Sequence, residues 1–241
     1  MQKFSYLKKT ISLVYIFFYL IFSGHAISKN NQLNIISDLE KGLNERDLTL
    51  IEKYFSSKEK ITLQNKFNIL INEFPNATWV IKEAISINKN NHILAMNITG
   101  SKMINDKKFN MSSNFLYKFQ LKNGMIKNSS ITNHLTTIRN DNNKVSLDIS
   151  IPDKVLTGSN YELDIIINDP LDQIIIAGGI KEYQEETFLD QSISLEPLAS
   201  GGIFKVTRAP LQTGTQIWSG IIAHPEGLVS FTKSVEIVEK Y

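Results

Sequence analysis

Few side chains in the middle of this sequence could act as a general base. Proton abstraction needs a positioned carboxylate or imidazole. Residues 78–138 offer two carboxylates, Glu83 and Asp106, and two imidazoles, His92 and His134. Asp106 falls in a predicted turn, and nothing in the spacing of the other three pairs them. Glu83, His92 and His134 therefore remain as candidates for a general base, and the scarcity of carboxylates favours a protein without catalysis.

Aromatic side chains in the same region could line a ligand pocket. Strand alternation places Tyr117 on one face of its strand with its aromatic neighbours at 115 and 119. A pocket formed by Trp79, Tyr117 and His134, with Glu83 as its acidic group, would be mostly apolar with a few polar anchors, which is typical of a ligand site. The alternative is that the aromatic side chains are ordinary core and that His134 is simply hydrogen-bonded.

Metal and cofactor motifs are not recognisable in the sequence. The chain has no cysteine, and the spacing of its histidines matches no metal site. An acidic cluster matches no EF-hand loop and is interpreted as a solvated loop; it comprises Glu182, Glu185, Glu186 and Asp190. Glycine pairs at 178–179 and 201–202 are not followed by the Gly-Lys-Ser/Thr of a phosphate loop. The sequence therefore predicts no metal and no cofactor.

Helical periodicity comes first and strand alternation follows. Apolar residues recur at helical spacing over 33–55 and 57–74, with breaks expected at Gly42 and Asn44. Ser57 is the expected cap of the second segment, and Pro75 is expected to end it. Four alternating segments then run to residue 138, and Asn123-Gly124 predicts a tight hairpin between the last two. Helices followed by an antiparallel meander indicate an α+β unit.

The span from about 33 to 138 resembles the nuclear transport factor 2-like superfamily, close to its SnoaL-like branch. The matching positions follow the order of the family pattern: Phe74-Pro75-Asn76, Trp79, Thr99-Gly100, Phe119, Gly124 and Ile126. The resemblance implies an α+β cone, with helices packed in a curved antiparallel sheet and a pocket in the concavity. The family includes isomerases and dehydratases as well as members without catalysis, so the fold does not fix the function.

The C-terminal part predicts a small all-β unit. Seven short runs rich in Ile and Val, separated by Gly, Pro, Asn and Asp, occur after residue 145. Residues 151–165 and 209–237 resemble the first and last strands of bacterial immunoglobulin-like domains. The resemblance implies an all-β immunoglobulin-like sandwich following the cone, with Trp218 in its core.

The N-terminus and the charge distribution predict three segments. Residues 1–26 combine an early lysine group, an apolar run at 11–22 and small residues at 24 and 26, the pattern of a signal peptide cleaved after Ala26. Residues 27–140 carry 16 basic and 9 acidic side chains, whereas residues 141–241 carry 7 and 15. The change of sign indicates two domains, 27–140 and 141–241, joined by a polar linker at 139–144.

These features favour a bacterial protein that is exported to the periplasm or the extracellular space. Its expected function is non-catalytic binding or interaction. Its partner would be a small apolar ligand or a protein, held in the N-terminal cone, and a homodimer is possible. Nucleic acid is not expected as a partner, and neither is stable membrane insertion after cleavage. The alternative is an isomerase- or dehydratase-type enzyme with an acid/base residue in the cone.

Overall fold

The computed structural model describes residues 31–84, 91–140, 145–168, 175–183, 192–198, 201–225 and 227–240. Within these residues there are three helices: α1 (Asn31–Glu45), α2 (Thr49–Glu52) and α3 (Ser57–Glu73). The strands of the same residues are β1 (Thr78–Glu83), β2 (Asn91–Ile104), β3 (Lys107–Lys122), β4 (Met125–Asn140), β5 (Leu147–Ser150), β6 (Lys154–Leu156), β7 (Asn160–Ile167), β8 (Ala177–Glu182), β9 (Glu196–Pro197), β10 (Gly202–Arg208), β11 (Gly214–His224) and β12 (Gly227–Val238).

Several features predicted from sequence lie outside the described residues. These are the signal peptide at 1–26, the linker positions 141–144, and all of the acidic cluster except Glu182. The signal peptide and the domain limits 27–140 and 141–241 therefore stay predictions. Among the described helices, none has both the length and the apolar character that crossing a bilayer requires.

The chain divides into two compact units. We call the described residues of 31–102 and 111–132 the helical unit, and those of 103–110 and 133–240 the strand unit. Because the division falls within β4, that strand contributes its first half to the helical unit and its second half to the strand unit.

Helix α1 does not break where the sequence predicted. It continues through Gly42 and Asn44 to Glu45. Gly42 allows α2 to lie close, because a Cβ there would come within 2.9 Å of the Ile51 side chain. Asn44 stays helical and uses its side chain to bind the backbone of Trp79. Both residues serve packing between elements, which a local propensity cannot show.

Helix α3 begins with a cap one residue earlier than predicted. Ser56 has an extended backbone and its N–H donates to the Glu59 carboxylate at 2.8 Å, as in a capping box. The expected cap, Ser57, is the first helical residue instead. The helix ends at Glu73, just before Pro75, which confirms the predicted stop.

The predicted hairpin at Asn123-Gly124 is confirmed. The two residues have φ of 53° and 76°, the positive pair that a type I′ turn requires. A Cβ added to Gly124 would meet nothing within 4 Å, so the need for glycine comes from backbone conformation alone.

We expect Gly124→Val to lower the free energy of unfolding by about 1–3 kcal/mol, because valine strongly disfavours positive φ. Urea denaturation of the variant would measure this loss. The matched control is Gly124→Asn, since asparagine tolerates the left-handed region and should cost much less. If the two variants were equally stable, the loss in Gly124→Val would not have a conformational origin.

The predicted fold class, an α+β cone followed by a separate immunoglobulin-like sandwich, is wrong. Over the described residues the protein is mostly β, with 59% strand against 18% helix, and has a large antiparallel sheet with a short N-terminal helical part. The strand order of this sheet is β1-β2-β3-β4-β12-β11-β8-β9, and β6 pairs with β12 in addition. Leu135–Arg139 of β4 pair with Val229–Lys233 of β12. The meander predicted from sequence therefore does not end as a separate sheet at β4.

The strand unit also contains a second sheet, with the order β10-β7-β5. Its strand β7 alternates strictly, with Leu163 and Ile165 fully buried. These side chains share one hydrophobic core with Trp218, Phe231 and Val235 of β11 and β12. Trp218 is 2% exposed, which confirms its prediction as a core residue.

Candidate functional site

Trp79 is a packed core residue of the helical unit. The pattern of β1 buries Trp79 and Ile81 on one face. The indole stacks on Phe67 with ring centroids 5.6 Å apart. Its backbone N–H donates to Asn44 Oδ1 and its carbonyl accepts from Asn44 Nδ2, both at 2.8 Å. These contacts attach α1 to β1 and give Trp79 a structural role.

Tyr117 is buried in the helical unit and stacks on Phe119 at 5.1 Å. Burial raises the pKa of its phenol well above 10; a hydrogen bond with Ser129 opposes the rise and the charge of Glu59 adds to it. The phenol is therefore neutral at physiological pH. It could donate a hydrogen bond, but it cannot serve as a base there.

Glu83 lies exposed at the end of β1. Its charge acts on His92, which is buried and lies 5.3 Å from the Phe119 ring. Burial lowers the pKa of His92, and the nearby Glu83 carboxylate opposes that effect. Glu83 therefore interacts electrostatically with His92, a pairing that the sequence spacing did not indicate.

His134 lies in the strand unit and is 1% exposed. Its Nε2 is 2.8 Å from Thr136 Oγ1, and its backbone N–H donates to Ser234 Oγ at 3.2 Å. Burial, followed by the charge of Lys233, lowers the pKa of His134 to about 3. The imidazole is therefore neutral at physiological pH, and its burial separates it from any substrate in solvent.

The four pocket candidates are thus found in different surroundings. Trp79 and Tyr117 are buried among other aromatic rings, Glu83 is exposed, and His134 belongs to the other unit. Across the described ranges, no group of three or more His, Cys, Asp or Glu side chains is arranged to hold a metal ion.

A different surface, which the sequence reasoning missed, has the features of a binding site. We call it the outer face: the exposed side of the sheet β10-β7-β5. It carries three large apolar side chains exposed by 36–66% of their surface, Ile166, Phe204 and Val206. Its charged side chains are three acidic ones, Asp148, Glu162 and Asp164, and a basic one, Arg208, which lies opposite Asn160. Such a combination of apolar and acidic groups could hold a partner by contact and by charge.

The register of the sheet places the apolar and acidic groups side by side. Phe204 lies opposite Asp164 and Val206 opposite Glu162 on the β10-β7 pair. Side chains opposite each other in an antiparallel pair are about 5 Å apart at Cβ. An open cavity of about 460 Å³ extends over this face, lined among others by Asn160, Glu162, Asp164 and Val206.

Sequence alternation contained only part of this information. Glu162 and Asp164 alternate with buried Leu163 and Ile165, so their outward direction could be predicted. In β10, however, both sets of alternating residues include apolar side chains, since Ile203 packs toward the core while Phe204 and Val206 are exposed. Only the register with β7 shows which set shares a face with the acidic residues.

Comparison with known proteins finds a similarity in the C-terminal part of the chain. Residues 142–238 are similar to a family described as a domain of unknown function (DUF8623). The match covers less than half of the chain, and it contains the strands β5 to β12 and therefore the outer face. No curated protein matches the chain.

Proposed function

We propose that this protein is an exported, non-catalytic interaction protein that binds another polypeptide through the outer face. The observation that carries this proposal is the exposure of Phe204 and Val206, 56% and 66% respectively, next to Glu162 and Asp164 on a regular sheet. The solvent-facing side of an antiparallel sheet is ordinarily polar. A group of exposed apolar side chains bordered by charges is typical of an interaction site.

The state of the other candidate residues supports binding over catalysis. Tyr117 and His134 are both buried and neutral at physiological pH, so neither is suited to abstract a proton from a substrate. Aromatic side chains such as Phe204 are enriched at protein interfaces. Acidic neighbours would favour a partner of opposite charge and would exclude acidic ones.

The proposal can be tested with an immobilised array of synthetic 15-residue peptides that covers basic, neutral and acidic compositions. We expect the protein to bind a subset of them, and the double variant Phe204→Ser/Val206→Ser to lose at least tenfold in affinity for that subset. The matched control is Ile61→Ser, which removes a β-branched side chain that is 62% exposed on α3. The proposal would be contradicted if the double variant bound the peptides as tightly as the unmodified protein. It would also be contradicted if the unmodified protein bound no peptide of the array.

A further inference from the structure

Within the described residues, strand β7 has an open edge at its beginning. The β5-β7 pairing runs from Leu147↔Ile167 to Ser150↔Asp164. Continuing this register would place Pro152 opposite Glu162, but proline has no N–H to give to a ladder. The chain instead crosses to β6, where Lys154 pairs with Glu236 of β12. Residues 160–163 of β7 therefore keep β10 as their strand partner and have no β5 residue beside them.

The direction of the backbone groups follows from the hydrogen bonds at both ends of β7. On the β10 side, the Ile167 N–H donates to the Gly201 carbonyl and the Ala209 N–H to the Ser159 carbonyl. On the β5 side, the Asn168 N–H donates to the Ser146 carbonyl. Successive residues of an antiparallel strand point their backbone groups to opposite sides. The N–H and C=O groups of Asn160 and Glu162 therefore point toward the edge that β5 has left.

The cavity of about 460 Å³ lies at this same edge, between Pro152 and the first residues of β7. Ile151 and Tyr161 line it together with Glu162 and Asp164. A segment added beside β7 would consequently meet apolar groups on its inner side and carboxylates on its outer side.

The charge of the edge indicates which side chains such a segment would carry. Glu162 and Asp164 take part in none of the ion pairs found among the described residues. Asp148 lies on the same face of β5, opposite Ile166. Because side chains of a strand alternate between two faces, the residue of an added strand opposite Glu162 would lie near this carboxylate, and Asp164 follows two positions along β7 on the same face.

We propose that the outer face captures an extended segment of another protein, with alternating basic and apolar side chains, which adds as a strand to β7 beside Asn160 and Glu162. The inference rests on the proposed interaction function and specifies the partner and its binding mode. Backbone hydrogen bonds would provide affinity, and the contacts of alternate side chains would provide specificity, as in other cases of strand addition.

The test uses the full chain and a fluorescent seven-residue peptide of alternating lysine and valine, followed by fluorescence anisotropy. We expect the peptide to bind, and two changes each to lower its affinity at least tenfold. One is the double variant Glu162→Gln/Asp164→Asn, and the other is N-methylation of alternate backbone amides of the peptide. Glu239→Gln, at an exposed carboxylate near the C-terminus, is the matched control and should bind as the unmodified protein does.

Amide hydrogen exchange provides an independent measurement. Bound peptide should slow hydrogen exchange at the backbone amide of Glu162. The backbone amide of Tyr161 already points toward β10, so its exchange rate should change little. If N-methylation has no effect and the Glu162 amide is not protected, strand addition is wrong, although the interaction function stands as long as Phe204→Ser/Val206→Ser still abolishes binding. If that double variant also binds the peptide normally, the proposed function fails as well.

Discussion

Replacing Trp218 with alanine is expected to lower the free energy of unfolding by about 3–5 kcal/mol, the usual cost of truncating a buried aromatic side chain. Trp218 is 2% exposed in the core shared by the two sheets of the strand unit. Its indole N–H donates to the Tyr161 hydroxyl at 2.9 Å, and that hydroxyl donates to Gln216 Oε1 at 2.8 Å. The Lys205 ammonium also lies 5.0 Å from the ring centroid. Alanine would leave a cavity and remove one donor from this buried chain.

Chemical denaturation measures the loss, and two further variants separate its causes. Trp218→Phe keeps a ring in the core but removes the indole N–H, so it should cost less than alanine, on the order of 1–3 kcal/mol. Phe204→Ala removes an aromatic side chain that is 56% exposed, and we expect a change within about 0.5 kcal/mol. A Trp218→Ala variant as stable as Phe204→Ala would contradict the position of Trp218 in the core.

The second large effect concerns the stability of the protein in acid. Burial, followed by the charge of Lys233, lowers the pKa of His134 from 6.5 to about 3. Lys233 in turn forms an ion pair with Asp153. Between these two pH values the unfolded chain binds a proton at His134 that the folded chain does not, so the free energy of unfolding falls as the pH falls. We expect His134 to contribute a loss on the order of a few kcal/mol between pH 7 and pH 3.

The loss can be measured by urea denaturation at several pH values from 7 to 3. Carboxylates also titrate in this range, so the informative quantity is the difference in slope between the protein and its variants. His134→Gln should flatten the dependence, whatever its stability at pH 7. Ile61→Ser, which changes an exposed side chain of α3 and no titratable group, should leave the slope unchanged. An identical slope for all three proteins would contradict the burial of a neutral His134.

Local features were predictable where one short segment determines them. The Asn123-Gly124 turn was correct because positive φ at two successive residues selects Asn and Gly. The stop before Pro75 was correct because proline excludes a continuing helix. The predicted break at Gly42 was wrong because the close approach of Ile51, nine positions later in the chain, decides the conformation at Gly42.

The arrangement of the sheets could not be predicted in this way. Whether β4 is an edge strand depends on the pairing of Leu135–Arg139 with Val229–Lys233, about ninety residues later in the chain. No periodicity within either strand contains that information, because alternation fixes the faces of a strand and not its neighbour. The division into domains at residue 140 rested on the change of charge and stays a prediction.

The prediction of the candidate site was limited for the same reason, because alternation fixes the faces of a strand and not what packs against them. Alternation showed that Tyr117 shares a face with its aromatic neighbours, but it could not show whether that face encloses a cavity or packed side chains. The rings stack on one another instead, as in Tyr117 on Phe119 and Trp79 on Phe67. The outer face was missed because it combines residues of β7 and β10, whose register is set by long-range pairing.

The central claim is that the protein binds polypeptide at the outer face. Its most direct test is a titration of the ¹⁵N-labelled protein with the lysine-valine peptide, followed by the backbone amide chemical shifts. We predict that the largest shifts fall on β5, β7 and β10, at Ser150, Glu162 and Phe204 among others. Shifts concentrated around Trp79 and Tyr117, or no shifts at saturating peptide, would contradict the claim.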